Sequence, residues 1–431
     1  MKDFGRSDDP RVQAQLDRLG ALTLREGRIN LDTVRALFER LGNPQDRLPP
    51  VFHVAGTNGK GSTCAFLRAM LEADGKTVHA TTSPHLVRYN ERIRVAGKLI
   101  QDARLAELLE EVFDASEGLA PSFFEVTIAA AFTEFASVPA DACVIEVGLG
   151  GRLDATNVLR PEVLAACGIA ALGIDHERFL LAPEAGTPEE PIARIAFEKA
   201  GIAKPGVPLI TQTYPPSAEL EIERAAMTAG CPLSMRGRDW HVSTTTTGLH
   251  YADRHGELAL PLPGLPGPHQ TENTALAIAM LRHQDRVNVS RNAIAQGLRT
   301  AHWPARLQFL APGPLTGNRE IWLDGGHNPS AGEMLARHFA GQQVHLIIGM
   351  IEGKDPKALV GPLAEALESI HVVPVPSYDA LPTESFGPDA RAAENVPSAL
   401  AALPNDGLPV LIAGSLYLAG EVLRLNQEIP D

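Results

Sequence analysis

Cysteine is scarce, and its placement excludes two kinds of chemistry. Cys64, Cys143, Cys167 and Cys231 lie far apart, with no CxxC pair and no zinc-type spacing. Each falls in or beside an apolar segment, so buried free thiols are expected, in a reducing compartment read as the cytoplasm. Long hydrophobic runs are also missing. The longest, 163–174, is too short to span a bilayer, and the polar start MKDFGRSDDPRVQ has no apolar core of the kind a secretory signal needs. Basic charge is in deficit: 38 Lys and Arg against 52 Asp and Glu give a formal net charge of -14. That sign repels nucleic acid and anionic membrane, so neither is expected as a partner, and any bound phosphate must be met by local donors. No self-complementary apolar stretch stands out, so a monomer is expected. What is present, 44% hydrophobic and 21% charged residues, argues for a folded chain. Its 431 residues are long for one core.

Short β-rich runs alternate with helical patterns. Strands are predicted at 50–55, 77–82, 143–147, 163–169 and 207–211, and helices at 62–73, 123–135, 192–200 and 219–229. Continuous apolar strands interleaved with helices predict a parallel sheet covered on both faces, an α/β fold. Polar or alternating strands follow at 241–247 and 250–260, then a proline-rich loop at 261–268 and a helix at 271–282. The stretch 299–314 holds Pro304, Pro312 and Pro314 with little periodicity, which places a domain boundary there: 1–298 and 299–431. Beyond it a second alternation is expected: strand 320–323, helix 330–339, strand 344–349, helix 358–367, strand 371–375, strand 410–413 and helix 416–425. That outline is a smaller Rossmann-like domain.

The first chemical signal is Val54-Ala55-Gly56-Thr57-Asn58-Gly59-Lys60-Gly61-Ser62. A buried strand runs into a glycine turn, a lysine and a helix N-terminus. Such a turn aims backbone N–H groups at phosphate oxygens, and the helix dipole adds positive potential. Lys60 supplies a point charge for the β- and γ-phosphates of a nucleotide. Gly61 stands where a Walker A loop carries the Ser or Thr that holds Mg²⁺, so another group must do so. Ser83 ends the next strand and is a candidate, although Ser-Pro is also a common strand-ending turn. Glu146 lies inside the apolar run 143–147, where a charge needs a metal or a partner such as Arg152. His176 follows Asp175 beyond another strand. All three fall at predicted C-terminal strand ends, on the edge where α/β proteins bind ligands, and hard oxygens with one imidazole suit Mg²⁺. Alone, Lys199 reads as a solvated lysine on an apolar helix. His269, Gln270, Asn273, Arg306, Asp324 and His327 are unremarkable singly. An arginine in the interdomain linker can reach phosphates across a cleft.

Together these segments resemble the folylpolyglutamate synthase/dihydrofolate synthase family, relatives of the Mur ligases. The matching stretches are 54–62, 83–97 (SPHLVRYNERIRVAG), 146–157 (EVGLGGRLDATN), Asp175-His176, 198–202, 324–329 (DGGHNP) and 413–421 (AGSLYLAGE). They span nearly the whole chain in the family's order. The resemblance implies a P-loop ATPase domain and a Rossmann-like C-terminal domain, with ATP and substrates in the cleft. By position it implies Ser83, Glu146 and His176 as Mg²⁺ ligands, and Asn273, Arg306 and Asp324 as ATP contacts. Lys199 matches a lysine that the family carbamylates. Ser122, Phe123, Phe124 and Glu125, with Leu153, Asp154 and Ala155, match the pterin site, where a ring can stack and a carboxylate can pair with the aminopyrimidine edge. Core packing is the plainer reading for one of the two phenylalanines. His327 and Ser415 are candidates for the glutamate site.

The implied reaction is ATP-dependent ligation of L-glutamate to dihydropteroate and to the glutamate tail of reduced folates, through an acyl phosphate. The segment 86–95 resembles that of bifunctional bacterial enzymes, and a monofunctional folylpolyglutamate synthase is the alternative. A Mur-type cell-wall ligase fits less well, because Gly61 and the SPHL segment depart from it. A non-catalytic nucleotide binder has no use for Glu146, His176 and Lys199 together. Residues 179–190 (FLLAPEAGTPEE) read as an inserted surface loop, and Gly325-Gly326 stands where other members carry a bulkier pair.

Overall fold

A strand whose consecutive residues are all apolar can stay folded only if both its faces are covered. That condition is met at β1 (Val51–Ala55), apolar except for His53, where all five residues are buried. The computed structural model describes residues 6–22 and 30–430. They divide into a first unit, made of the chain up to Pro84 with Tyr89–Gly264 and Gln270–His302, and a second, made of His85–Arg88, Leu265–His269 and the chain from Trp303 onward.

In the first unit β1 is joined by β2 (Val78–Thr81), β3 (Ile93–Val95), β4 (Lys98–Leu99), β5 (Ala142–Glu146), β6 (Leu164–Ile169), β7 (Leu209–Thr211) and β8 (Leu233–Met235). Their order is β4-β3-β2-β5-β1-β6-β7-β8. The six strands from β2 to β8 in that order run parallel, and β3 and β4 are antiparallel additions. Helices α1 (Pro10–Ala21), α2 (Asp32–Arg40), α4 (Asp102–Ala115), α5 (Phe123–Ser137), α7 (Pro191–Ala200) and α8 (Pro216–Ala229) give apolar side chains to one core cluster with β1, β5 and β6. Helix α3 (Lys60–Ala73) packs with α9 (Gln270–Arg282) and α10 (Arg291–Thr300). The short α6 (Glu177–Leu180) follows His176.

A separate three-stranded antiparallel sheet comprises β9 (Trp240–Thr244), β10 (Leu249–Asp253) and β11 (Gly256–Leu260). The single strand expected over 250–260 is thus a hairpin. The Asp253 carboxylate accepts the His255 N–H at 2.8 Å, and Gly256 takes φ +100°, so an aspartate-initiated turn breaks the run.

The second unit holds β12 (Gln308–Phe309), β13 (Ile321–Leu323), β14 (Val344–Ile348), β15 (Leu367–Val372), β16 (Arg391–Ala392) and β17 (Val410–Ala413), in the order β12-β13-β17-β14-β15-β16. All pairs are parallel except β12 with β13. Alternate residues of β17 feed opposite faces, as the two-residue strand period requires. Val410 and Ile412 join α13 (Val396–Ala402) and α14 (Leu416–Asn426), whereas Leu411 and Ala413 join α11 (Pro329–His338) and α12 (Lys357–Leu363). The helix expected over 358–367 ends at Leu363, just after Pro362, which removes a helical donor. The strand expected at 371–375 runs instead over Leu367–Val372. The last segment of the second unit runs from Trp303, after Arg299 and Thr300 have completed the last turn of α10.

The approach of α3 and α10 requires Gly297. A Cβ there would lie 2.5 Å from both the N and Cα of Met70, backbone atoms that cannot swing away. Gly297→Ala is therefore expected to lower unfolding stability in urea by roughly 1–3 kcal/mol, despite alanine's higher helix propensity. Stability equal to or above wild type would contradict this contact.

Candidate functional site

Each parallel strand must release its chain at the same edge of the sheet. After β1 the chain turns through Gly56, at φ +152°, and Gly59, at φ +80°, before α3 begins. The turn is held from below: Thr57 N and Asn58 N donate to Ala171 O at 2.8 and 3.2 Å, and Thr57 Oγ1 donates to Gly173 O at 2.9 Å. No side chain caps the first turn of α3, so its N–H groups, which lack intrahelical acceptors, remain as a donor set for an anion. Lys60 Nζ folds over the loop onto the carbonyls of Gly56 (3.1 Å) and Thr57 (3.4 Å). Asn273, in the first turns of α9, closes the other side. A Cβ on Gly59 would fall 2.2 Å from Asn273 Oδ1, so only glycine lets the amide lie on the loop. Asn273 Nδ2 donates to Gln270 Oε1 (3.0 Å), and Gln270 Nε2 donates to Ser62 Oγ (3.3 Å).

The other predicted site residues of this unit follow neighbouring strands. Glu146 ends β5, is 5% exposed, and accepts the Ser83 N–H on Oε2 at 3.0 Å. The Ser83-Pro84 peptide is cis. His176 precedes α6 with left-handed backbone (φ 52°), and its N–H donates to Asp175 Oδ1 at 2.8 Å. Among the described residues no three His, Cys, Asp or Glu side chains gather as a metal cluster. The proposed set contains only two such residues, with the serine as its third member. Arg152 is not the partner of Glu146: its guanidinium binds Glu184 at 2.6 Å and Glu198 at 2.8 Å.

Lys199 is not solvated. It is 4% exposed in the last turn of α7, because Gly151 lets the 148–152 loop lie on that turn. A Cβ at Gly151 would sit 2.8 and 2.9 Å from the carbonyl oxygens of Glu198 and Lys199. Burial, then the charge of Lys60, push the Lys199 amine down from 10.5 to about 7, against Asp175, Asp154 and Glu198, which pull it up. Asp154 is buried, and burial raises its pKa. It binds its own loop, accepting from Leu149 N, Thr156 N and Thr156 Oγ1, and leads into a 3₁₀ turn at Ala155–Val158. Leu153 is half-buried and Ala155 buried.

Ser122 and Glu125 form a reciprocal capping box at the start of α5: Ser122 N donates to Glu125 Oε2 (2.7 Å) and Glu125 N to Ser122 Oγ (3.3 Å). Phe123 and Phe124 are both half-buried. The Phe124 ring occupies the space a Cβ on Gly148 would need, and Phe123 meets Tyr89 edge-on with the Arg92 guanidinium 5.3 Å from its ring centre.

In the second unit Asp324 is 1% exposed and directly follows β13. It accepts from Leu307 N at 2.8 Å and Gly326 N at 2.7 Å. Burial raises its pKa and the Arg306 charge opposes that. Arg306 stands between two non-glycine residues in left-handed backbone, Ala305 (φ 55°) and Leu307 (φ 45°). Such strain costs roughly 1–3 kcal/mol per residue and persists where the surroundings hold it. Leu416 fills the space beside Gly325, which joins the 324–329 loop to the start of α14, where Ser415 Oγ accepts the Tyr417 N–H. His327 Nδ1 lies 3.2 Å from Gly325 O. The Gly325-Gly326 pair is therefore required, since a Cβ at Gly326 would lie 2.5 Å from the Ala331 Cβ.

Residues 179–190 are less of a surface loop than their composition predicts. Leu180 is buried, and Glu184 is bound by two arginines. Arg194 escapes a reading by sequence, although an arginine at a buried position of an apolar helix was its signal. Three cysteines are buried and Cys231 is half-buried, all as free thiols. Among the described residues no helix is long and apolar enough to cross a membrane.

Fold and site together define a P-loop ligase of the Mur ligase superfamily. No protein-family model matches the chain. The folylpolyglutamate synthase of Lacticaseibacillus casei is 34% identical over 415 residues, covering 90% of this chain and 92% of that one. The structure of Escherichia coli FolC in complex with DHPP and ADP matches with a TM-score of 0.84 at 30% identity, over 97% of this chain and 98% of that one. The bifunctional folylpolyglutamate synthase/dihydrofolate synthase from Yersinia pestis complexed with AMPPNP and Mn ion matches at 0.83 and 28%, over 96% and 97%. The chain belongs to the folylpolyglutamate synthase/dihydrofolate synthase family, whose members are ATP-dependent ligases.

The Lys199 amine carries a test of its own burial. Between about 7 and 10.5 the unfolded chain binds a proton at this lysine that the folded chain does not, so this group makes stability rise with pH across that window and weighs against folding below it. Urea titrations should show wild type gaining stability relative to Lys199→Met as pH climbs through the window. Parallel curves would mean that the amine is solvated.

Proposed function

We propose that the chain ligates L-glutamate to dihydropteroate, giving dihydrofolate, and to the glutamate tail of reduced folates, with ATP as the energy source. The observation that carries this reading is the gathering, on one edge of a parallel sheet, of a phosphate loop, the Ser83–Glu146 pair and a buried lysine whose amine is pushed down to about 7.

In this reading the α3 N-terminus and Lys60 hold the β- and γ-phosphates, Asn273 lies beside them, and Arg306 and Asp324 are further nucleotide contacts. The acceptor's carboxylate oxygen attacks the γ-phosphorus, ADP leaves, and an acyl phosphate forms. The amine of glutamate then attacks the acyl carbon, the C–O bond breaks, and phosphate departs with the bridging oxygen while the amine loses a proton. Lys60 acts first on the charge that grows on the transferred phosphoryl oxygens. Ser83, Glu146 and His176 would hold Mg²⁺, and the buried Glu146 carboxylate, bound to the Ser83 N–H, fits a hard cation. That ion, when bound, neutralises phosphate charge.

Lys199 in its neutral form is the species that reacts with carbon dioxide, which supports a carbamate there: a buried anion where a buried cation would be opposed by Lys60. Phe124 and Phe123, with Ser122, Glu125, Leu153, Asp154 and Ala155, form the proposed pterin site, and His327 and Ser415 serve glutamate. The chain acts as a cytoplasmic monomer on small-molecule substrates. A monofunctional folylpolyglutamate synthase is the alternative reading, since the Lacticaseibacillus casei relative carries that name alone.

ADP release with Mg-ATP and glutamate should be stimulated by dihydropteroate and also by tetrahydrofolate. Stimulation by tetrahydrofolate alone would select the alternative, and silence with both would overturn the folate assignment. Lys199→Ala should abolish this turnover while ADP binding is largely kept; an active variant would remove Lys199 from the mechanism.

A further inference from the structure

The segment that joins His176 to α7 is fastened at its middle. The Glu184 side chain is 16% exposed, and its Oε2 accepts from Arg152 Nη2 at 2.6 Å and Arg194 Nη2 at 3.0 Å. Glu198 completes the group: its Oε1 accepts from Arg152 Nη2 at 2.8 Å and forms an ion pair with Arg194 Nη2 at 2.9 Å, and its Oε2 accepts from Arg152 Nε at 3.1 Å. Two guanidiniums and two carboxylates thus balance, with both guanidinium carbons within 5.5 Å of the Phe197 ring centre. Two further attachments lie next to it. Arg194 Nε donates to Leu180 O at 3.0 Å, and the Leu180 side chain packs where Gly150 has no Cβ to obstruct it.

Removing four charges from water is costly, and a buried ion group of this kind adds little net stability compared with apolar packing. What it does supply is geometry. One end of the segment is His176, in strained left-handed backbone with Asp175 bound to its N–H. The other end enters α7, which carries Lys199 and supplies Arg194 and Glu198. Arg152 belongs to the loop that lies on Lys199.

We infer that Glu184 is a positioning residue for this ligase: by clamping residues 177–187 to Arg152 and Arg194, it fixes His176 relative to Lys199 and so sets the affinity of the site for its divalent cation. The inference rests on the proposed metal role of His176. It gives residues 179–190 a function, that of a strap whose buckle is a half-buried carboxylate.

Charge balance separates positioning from bulk stability. Glu184→Gln leaves two guanidiniums on one carboxylate and loosens the strap. The double variant Glu184→Gln/Arg194→Met restores one cation to one anion, yet the strap stays loose. Mn²⁺ binding in the presence of ADP, read by electron paramagnetic resonance on the full chain, is compared with the unfolding temperature. Glu184→Gln is expected to lower the unfolding temperature and to weaken Mn²⁺ binding by about tenfold. The double variant should recover the temperature and not the Mn²⁺ affinity. Recovery of both together, or wild-type Mn²⁺ affinity in Glu184→Gln, would overturn the inference. A wild-type protein that binds no Mn²⁺ would instead overturn the metal reading of His176, and this inference with it.

Discussion

Parallel pairing of β2, β5, β1 and β6 is the constraint on which the chemistry of the first unit depends. A parallel strand returns to its sheet only through a crossover, so its carboxyl ends all open on one edge. Ser83, Glu146, the Gly56–Lys60 turn and Asp175-His176 follow those four ends in the sheet's own order. They are spread from residue 56 to residue 176 of the sequence, and the pairing gathers them. Ala171, just beyond β6, also supplies the carbonyl that holds Thr57 N and Asn58 N, so the phosphate loop is fixed by its neighbour strand.

Onto that edge the fold brings further groups by omitting side chains. Gly59 admits the Asn273 amide, Gly148 admits the Phe124 ring, and Gly151 admits the backbone at Lys199. In each case a single Cβ would occupy the space of that neighbour. Lys199 is buried there, and burial, then the charge of Lys60, push its amine down to about 7. The second unit uses a comparable device: left-handed backbone at Ala305 and Leu307 fixes the position of Arg306, and Leu307 donates its N–H to Asp324.

Much of this was legible in the sequence because it follows from local rules. Strand, glycine turn, lysine and helix lie consecutively, and apolar runs with intervening helices announce parallel pairing. Boundaries shifted where a local feature overrode the run, as at Pro362 and the Asp253–Gly256 turn. Helices α1, α2, α4, α10 and α13 lie in stretches to which periodicity assigned no element, because their faces are short and rich in charge or alanine. Contacts between distant residues left no trace. Composition offers Glu184 as one acidic residue in a Pro-rich loop and Lys199 as one lysine on a helix. Only the fold shows that the first is bound by Arg152 and Arg194, and that the second is buried under Gly151.

In the proposed mechanism the energy of ATP reaches the amide through the acceptor's own carboxylate oxygen. Dihydropteroate labelled with ¹⁸O in its carboxylate, turned over with ATP and glutamate, tests it directly. An acyl phosphate requires one labelled oxygen to leave in each phosphate released, found by mass spectrometry of the phosphate. Unlabelled phosphate accompanying dihydrofolate formation would contradict the account, since the γ-phosphoryl group would then have passed to water and never to the substrate.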